Sequence, residues 1–173
     1  MTARAGGNWL IGFDGGEFGG GLWWASPDGK RTKLLVGDNV QAFVQRGEDV
    51  LAFTGLAHMG FNRGAAYLFR STSTDGEITH IGDLDSAPYA ALLESNGSVL
   101  VALSNGVVAL RPDGSFVRLY KQEEMPILYS NSIVGEESDA IFVGMRFYVL
   151  RLHRRADGIY ESTWFERSSG RHH

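Results

Sequence analysis

The chain has 173 residues, 43% apolar and 21% charged, with 16 basic against 20 acidic side chains and no cysteine. That size and composition suit one globular domain with a real core, and exclude wholesale disorder, disulfide staples, thiolate nucleophiles and cysteine-ligated zinc. A formal charge of −4, with no Lys/Arg run longer than two, argues against a groove that tracks nucleic-acid phosphates.

The N-terminal MTARAGGNWLIG lacks the apolar run of a signal peptide, and no stretch reaches the length of a membrane span. A soluble, cytoplasmic protein without a membrane partner is expected. Along the chain, short apolar runs of about five residues alternate with polar turns, which is strand spacing. The first unit reads NWLIGF (8–13), a glycine-rich stretch DGGEFGGG (14–21), GLWWAS (21–26), the turn Asp28-Gly29, and KRTKLLV (30–36). After the turn RGED, a second unit has VLAFT (50–54), GLAHMGFNRG (55–64), AAYLFR (65–70), Asp75-Gly76 and EITHI. ESNG introduces the third: VLVAL (99–103), SNG, VVALR (107–111), Asp113-Gly114 and SFVRLY. GEESD introduces the fourth: IFVGM (141–145), YVLRL (148–152), Asp157-Gly158 and IYESTWF. Asp-Gly is the dipeptide of a type I′ hairpin turn, whose two central residues take positive φ. Only residues 120–128 could hold a helical turn.

The Asp-Gly pairs begin at positions 28, 75, 113 and 157, so the units recur at 47, 38 and 44 residues. Four short strands repeating at about 40–50 residues are the mark of propeller blades. Through these strand, Asp-Gly turn, strand hairpins the chain resembles the β-propeller repeat proteins over almost its whole length, without the Trp-Asp or kelch marks of named subfamilies. The resemblance implies an all-β fold: a small β-propeller of about four blades of up to four antiparallel strands, over 8–37, 38–83, 84–122 and 129–167, with a tail at 168–173. A β-sandwich is the alternative, since it too has short, regularly spaced strands. Only MTARAGG precedes NWLIGF, so the first blade is expected to be incomplete, with self-association or a larger ring covering its open edge.

Propeller topology places the loops between second and third strands on one face together with the connections between blades. That face gathers Asp14, Glu17 and Phe18 from the glycine stretch, and His58, Met59, Phe61, Asn62 and Arg63 from GLAHMGFNRG. Asp38, Asp85 and Tyr129 come from the connections and Arg146 from the last loop. These twelve are the candidate partner-binding residues, because function concentrates on loops held by a rigid scaffold. The plainer reading is that the glycines only satisfy turn geometry and that Phe18 and Phe61 tuck between blades. Trp23 and Trp24 adjoin in one strand, so they point to opposite faces and are expected to pack between blades.

No catalytic set is complete. The glycine spacing matches neither GxxxxGK[ST] nor GxGxxG, no HxH or HExxH places zinc ligands, and no GxSxG elbow is present. Neither a metal nor a cofactor is expected. The sequence therefore points to a non-catalytic module that binds a protein partner, such as an inhibitor or immunity-type protein. A carbohydrate or small-molecule site at the propeller mouth is one alternative, hydrolytic if a carboxylate pair, Glu17 with Asp38 or Asp85, works with His58 in acid-base chemistry. Membership of a larger propeller completed by another chain is the other.

Overall fold

In the computed structural model the chain is described over residues 1–72, 76–122, 129–136 and 140–166. It forms four antiparallel sheets of four strands, each built from strands consecutive in sequence. The first sheet holds β1 (Thr2–Ala5), β2 (Asn8–Asp14), β3 (Gly20–Ala25) and β4 (Thr32–Val36). The second holds β5 (Val40–Arg46), β6 (Asp49–His58), β7 (Phe61–Ser71) and β8 (Gly76–Leu84). The third has β9 (Pro88–Leu93), β10 (Val99–Leu103), β11 (Gly106–Leu110) and β12 (Phe116–Lys121). The fourth has β13 (Ser132–Glu136), β14 (Ala140–Gly144), β15 (Tyr148–Arg154) and β16 (Tyr160–Glu166).

The sheets pack in series, face against face, which sets aside the two-sheet sandwich. Leu10, Leu22 and Trp24 of the first sheet meet Val50, Ala52 and Phe69 of the second. Leu51, Phe53 and Leu68 on the other side of the second meet Val99, Val101 and Leu110 of the third. Leu100, Ala102 and Val107 then meet Ile141, Val143 and Leu150 of the fourth. Burial on both faces explains why VLAF, VLVAL and VVAL are unbroken apolar runs, whereas strands of a half-covered sheet alternate. Among the described residues, no apolar cluster joins the first sheet to the fourth.

Two expectations are corrected. The first sheet is complete, because Thr2–Ala5 pairs with β2 and the Met1 carbonyl accepts from the Gly12 amide. The two-residue turn Gly6-Gly7, with φ of 52° and 87°, reverses the chain in so little sequence. Nor are the Asp-Gly turns type I′. In each described one only the glycine has positive φ: Gly29, Gly114 and Gly158. The glycine amide bonds the carbonyl three residues back, and the Asp carboxylate accepts from the amide two residues on: Lys30, Ser115 and Ile159. The carboxylate thus closes an Asx turn and leaves positive φ to glycine alone. Asn96-Gly97 repeats the geometry. Asp75, the 123–128 part of the proposed helical turn, residues 137–139 and the tail lie outside the described residues.

Candidate functional site

The loop face is organised by the segments that link one sheet to the next. In the first, Asp38 is 8% exposed and accepts from its neighbour's amide, from the Thr54 hydroxyl and from both terminal nitrogens of Arg63, at 2.5 and 3.2 Å. The Asn39 side chain accepts from the Gly15 amide at 3.1 Å and donates to the Gly16 carbonyl at 2.8 Å, fixing the glycine stretch from beneath. Gly20 has to be glycine here, since a Cβ would lie 2.7 Å from the Asn39 Cα.

The second link repeats the device. Asp85 pairs with Arg118, the buried Ser86 hydroxyl donates to Asn105, and Asn62 accepts from the Ala87 amide at 2.8 Å and the Ser104 hydroxyl at 3.0 Å. Asp38, Asp85 and Asn62 are thereby committed to bonds inside the molecule. Arg63 shares that commitment and places its guanidinium 5.4 Å from the centre of the Phe61 ring.

The stretch 55–64, expected as an irregular loop, is instead the end of a long hairpin. β6 and β7 stay paired to His58 opposite Phe61, with Met59 and Gly60 as the turn at φ of 46° and 82°. Gly55 and Gly64 face each other at its base, where the Cδ of Pro88 would lie 2.8 and 2.7 Å from an added Cβ. These glycines serve the close approach of the next sheet rather than flexibility.

Beside this arm, the glycine stretch folds into a single 3-10 turn, Gly16–Phe18. Asp14, just before it, accepts from the Gly16 amide at 3.0 Å. Glu17 faces the arm, with its carboxylate 2.9 Å from His58 Nε2, a nitrogen covered from solvent that makes no directed hydrogen bond. Phe18 and Met59, each next in sequence to a member of that pair, are 90% and 93% exposed, and Phe61 is 53% exposed. Neither phenylalanine is tucked between sheets.

Tyr129 and Arg146 make ring contacts of their own. Arg146 stacks on the exposed Phe147 ring at 5.5 Å. Tyr129, at φ 32°, sets its ring edge-on to Tyr89, centroids 6.3 Å apart. Burial, then Tyr129 and then the charge of Asp14, push the Tyr89 phenol above its ordinary pKa. Asp14 and Tyr129 thus act on one half-buried tyrosine of β9, although they come from distant parts of the chain. Among the described residues, no cluster of three or more His, Cys, Asp or Glu could hold a metal ion, and no helix is long and apolar enough to cross a membrane.

Neither a protein-family model nor a curated protein matches the sequence. Solved structures do match. The chain aligns over 98% of its length with virginiamycin B lyase from Staphylococcus aureus, at 13% identity and a TM-score of 0.59. A streptogramin B lyase aligns over 98% at 15% identity and a TM-score of 0.55, and an auxiliary nutrient binding protein from Bacteroides ovatus over 95% at 11% and 0.59. The architecture is of the propeller type. At such low identity the likeness concerns the fold alone. The chain spans 55% and 58% of the two lyase chains and 41% of the nutrient binding protein.

Four residues that position the face escaped sequence reasoning: Asn39, Tyr89, Asn105 and Arg118. Asn39 and Asn105 left a signal, the one by its place beside Asp38 and the other by its place in the SNG loop.

Proposed function

We propose that this protein is a non-catalytic binding module whose hairpin arm and adjacent 3-10 turn engage a protein partner. The observation that carries this reading is the display of Phe18 and Met59, almost wholly in water, on two supports that are themselves fixed. Single exposed apolar side chains are ordinary, but large ones grouped on ordered elements suit the centre of an interface. Asp14, Glu17 and His58 supply a polar rim around them. Because the arm is ordered before binding, little entropy is lost on docking. An inhibitor or immunity-type protein is one kind of molecule that would carry such a face.

The test is quantitative affinity capture with the wild-type chain and a Phe18→Ser, Met59→Ser variant, followed by titration of the partner recovered. Loss of an interface anchor costs about 2 kcal/mol or more, so affinity should fall at least tenfold while thermal stability is unchanged. A partner that binds the variant as tightly as the wild type would refute the proposal.

A second reading rests on Tyr89. Its half-buried phenol, with Tyr129 edge-on and Asp14 acting on it, could take a sugar or small polar ligand at the mouth of the sheets. Two of the similar structures are lyases and one is a nutrient binding protein, which is compatible with such a site. Saturable quenching of intrinsic fluorescence by a glycan panel, abolished by Tyr89→Ala, would favour this reading over the first.

A further inference from the structure

Among the described residues, the first and fourth sheets each keep one face that no other sheet covers. We propose that these two faces pack against those of a second copy of the chain, so that two four-sheet chains close one ring of eight sheets.

On the first sheet, Ile11 stands opposite Trp23 and Trp23 opposite Leu34, giving an apolar row across β2, β3 and β4. Phe13 extends it, 56% exposed, and Trp9 lies under the Arg4 guanidinium at 4.2 Å. Trp24 points the other way into the core, so of the two tryptophans only Trp23 looks outward. On the fourth sheet, Val134, Phe142 and Arg151 form one cross-strand row, and Val149 and Phe165 pair in another. Val134 and Phe165 are about half exposed, and Arg151 Nε is covered yet has no hydrogen-bond partner.

Direction decides the occupant. At each internal junction the trailing face of one sheet meets the leading face of the next: first to second, second to third, third to fourth. What remains is a leading face on the first sheet and a trailing face on the fourth, the two halves of one more junction. Two chains related by a half-turn about the ring axis supply that junction twice and leave no open face. Eight sheets fall within the ordinary range for propellers. A half-turn about that axis also sets both hairpin arms on the same side of the ring.

Light scattering on the full chain should give twice its 18.9 kDa mass. Phe13→Glu with Leu34→Glu, or Val134→Lys with Phe165→Lys, should each halve that mass with the circular dichroism spectrum unchanged, since these side chains are about half in water. Mixing the two variants should restore the dimer, because one junction is then wild type and the other pairs Glu with Lys. A wild-type chain that stays monomeric at micromolar concentration overturns the proposal. So does a dimer that survives either variant pair, which would mean one face pairing with itself or contact elsewhere, and so does a mixture that stays monomeric. Should a charged variant fail to fold, Phe13→Ser and Val134→Thr replace it, each expected to weaken dimerisation at least tenfold. An unchanged dissociation constant in both would equally overturn the proposal.

Discussion

Replacing Arg63 by Ala takes two charge-assisted bonds from the Asp38 carboxylate and leaves it with the Thr54 hydroxyl at 3.3 Å and the Asn39 amide at 2.8 Å. A hydrogen bond to a charged group contributes about 1.5–3 kcal/mol. The Arg63 side chain is 51% exposed, so water takes over part of what is lost, and the expected destabilisation is about 1–2 kcal/mol. Asp38→Ala strips the acceptor from the buried Thr54 hydroxyl, the Asn39 amide and Arg63 together, and should cost about 2–3 kcal/mol. For a chain of this size each kcal/mol lowers Tm by about 2–4 °C, so Arg63→Ala should melt about 2–8 °C early. Urea denaturation of both single variants and the double variant gives the coupling, expected near 1 kcal/mol. If the two effects add to within about 0.3–0.5 kcal/mol, the pair contributes nothing and the reasoning fails.

Gly6→Ala, at a residue with φ of 52° and with the Ser71 side chain already against it, should cost about 1–2 kcal/mol. It should also speed amide exchange in Thr2–Ala5 while β10 stays protected, and equal exchange would show that the turn does not hold β1. Phe53→Ala opens a cavity between the second and third sheets and should cost about 3–5 kcal/mol by denaturant titration; a loss below about 1 kcal/mol would contradict its placement. The Ser115 hydroxyl, followed by the Ser115 amide, holds the Asp113 carboxyl below its ordinary value of 3.8, and Ser26 does the same for Asp28. Such depressed carboxyls add stability above pH 3.8 that is lost as pH falls through their folded pKa values. Ser115→Ala should therefore raise the Asp113 midpoint followed by NMR, and an unmoved midpoint would refute the assignment.

Much of the fold was legible because burial on both faces writes itself into sequence: VLAFT, VLVAL and VVALR are strands by length and composition alone. The three described Asp-Gly pairs marked real turns, but their type was not legible, since it turns on whether the Asp side chain bonds an amide two residues on. β1 was missed because TARA carries no strand pattern, and the turn that brings it back onto β2 is only the two residues Gly6-Gly7. At the site, the adjacency of the glycine stretch and the 55–64 stretch was legible, yet the state of each carboxylate was not. Asp38 and Asp85 look alike in sequence to Asp14 and Glu17, and what ties them into the molecule is an arginine 25 or 33 residues away. Gly55 and Gly64 misled in the opposite sense, since glycines that admit Pro88 look the same as glycines that loosen a loop.

Because the apolar clusters among the described residues join each sheet only to its neighbours in sequence, the chain behaves as a line of units with nearest-neighbour coupling. The two middle sheets are stabilised from both sides and the two outer ones from one side, so opening should begin at the ends and travel inward. Damage then stays local: a lesion in the fourth sheet need not reach the arm in the second. Anything that bridges the two ends turns the line into a circle, and fraying then has nowhere to start.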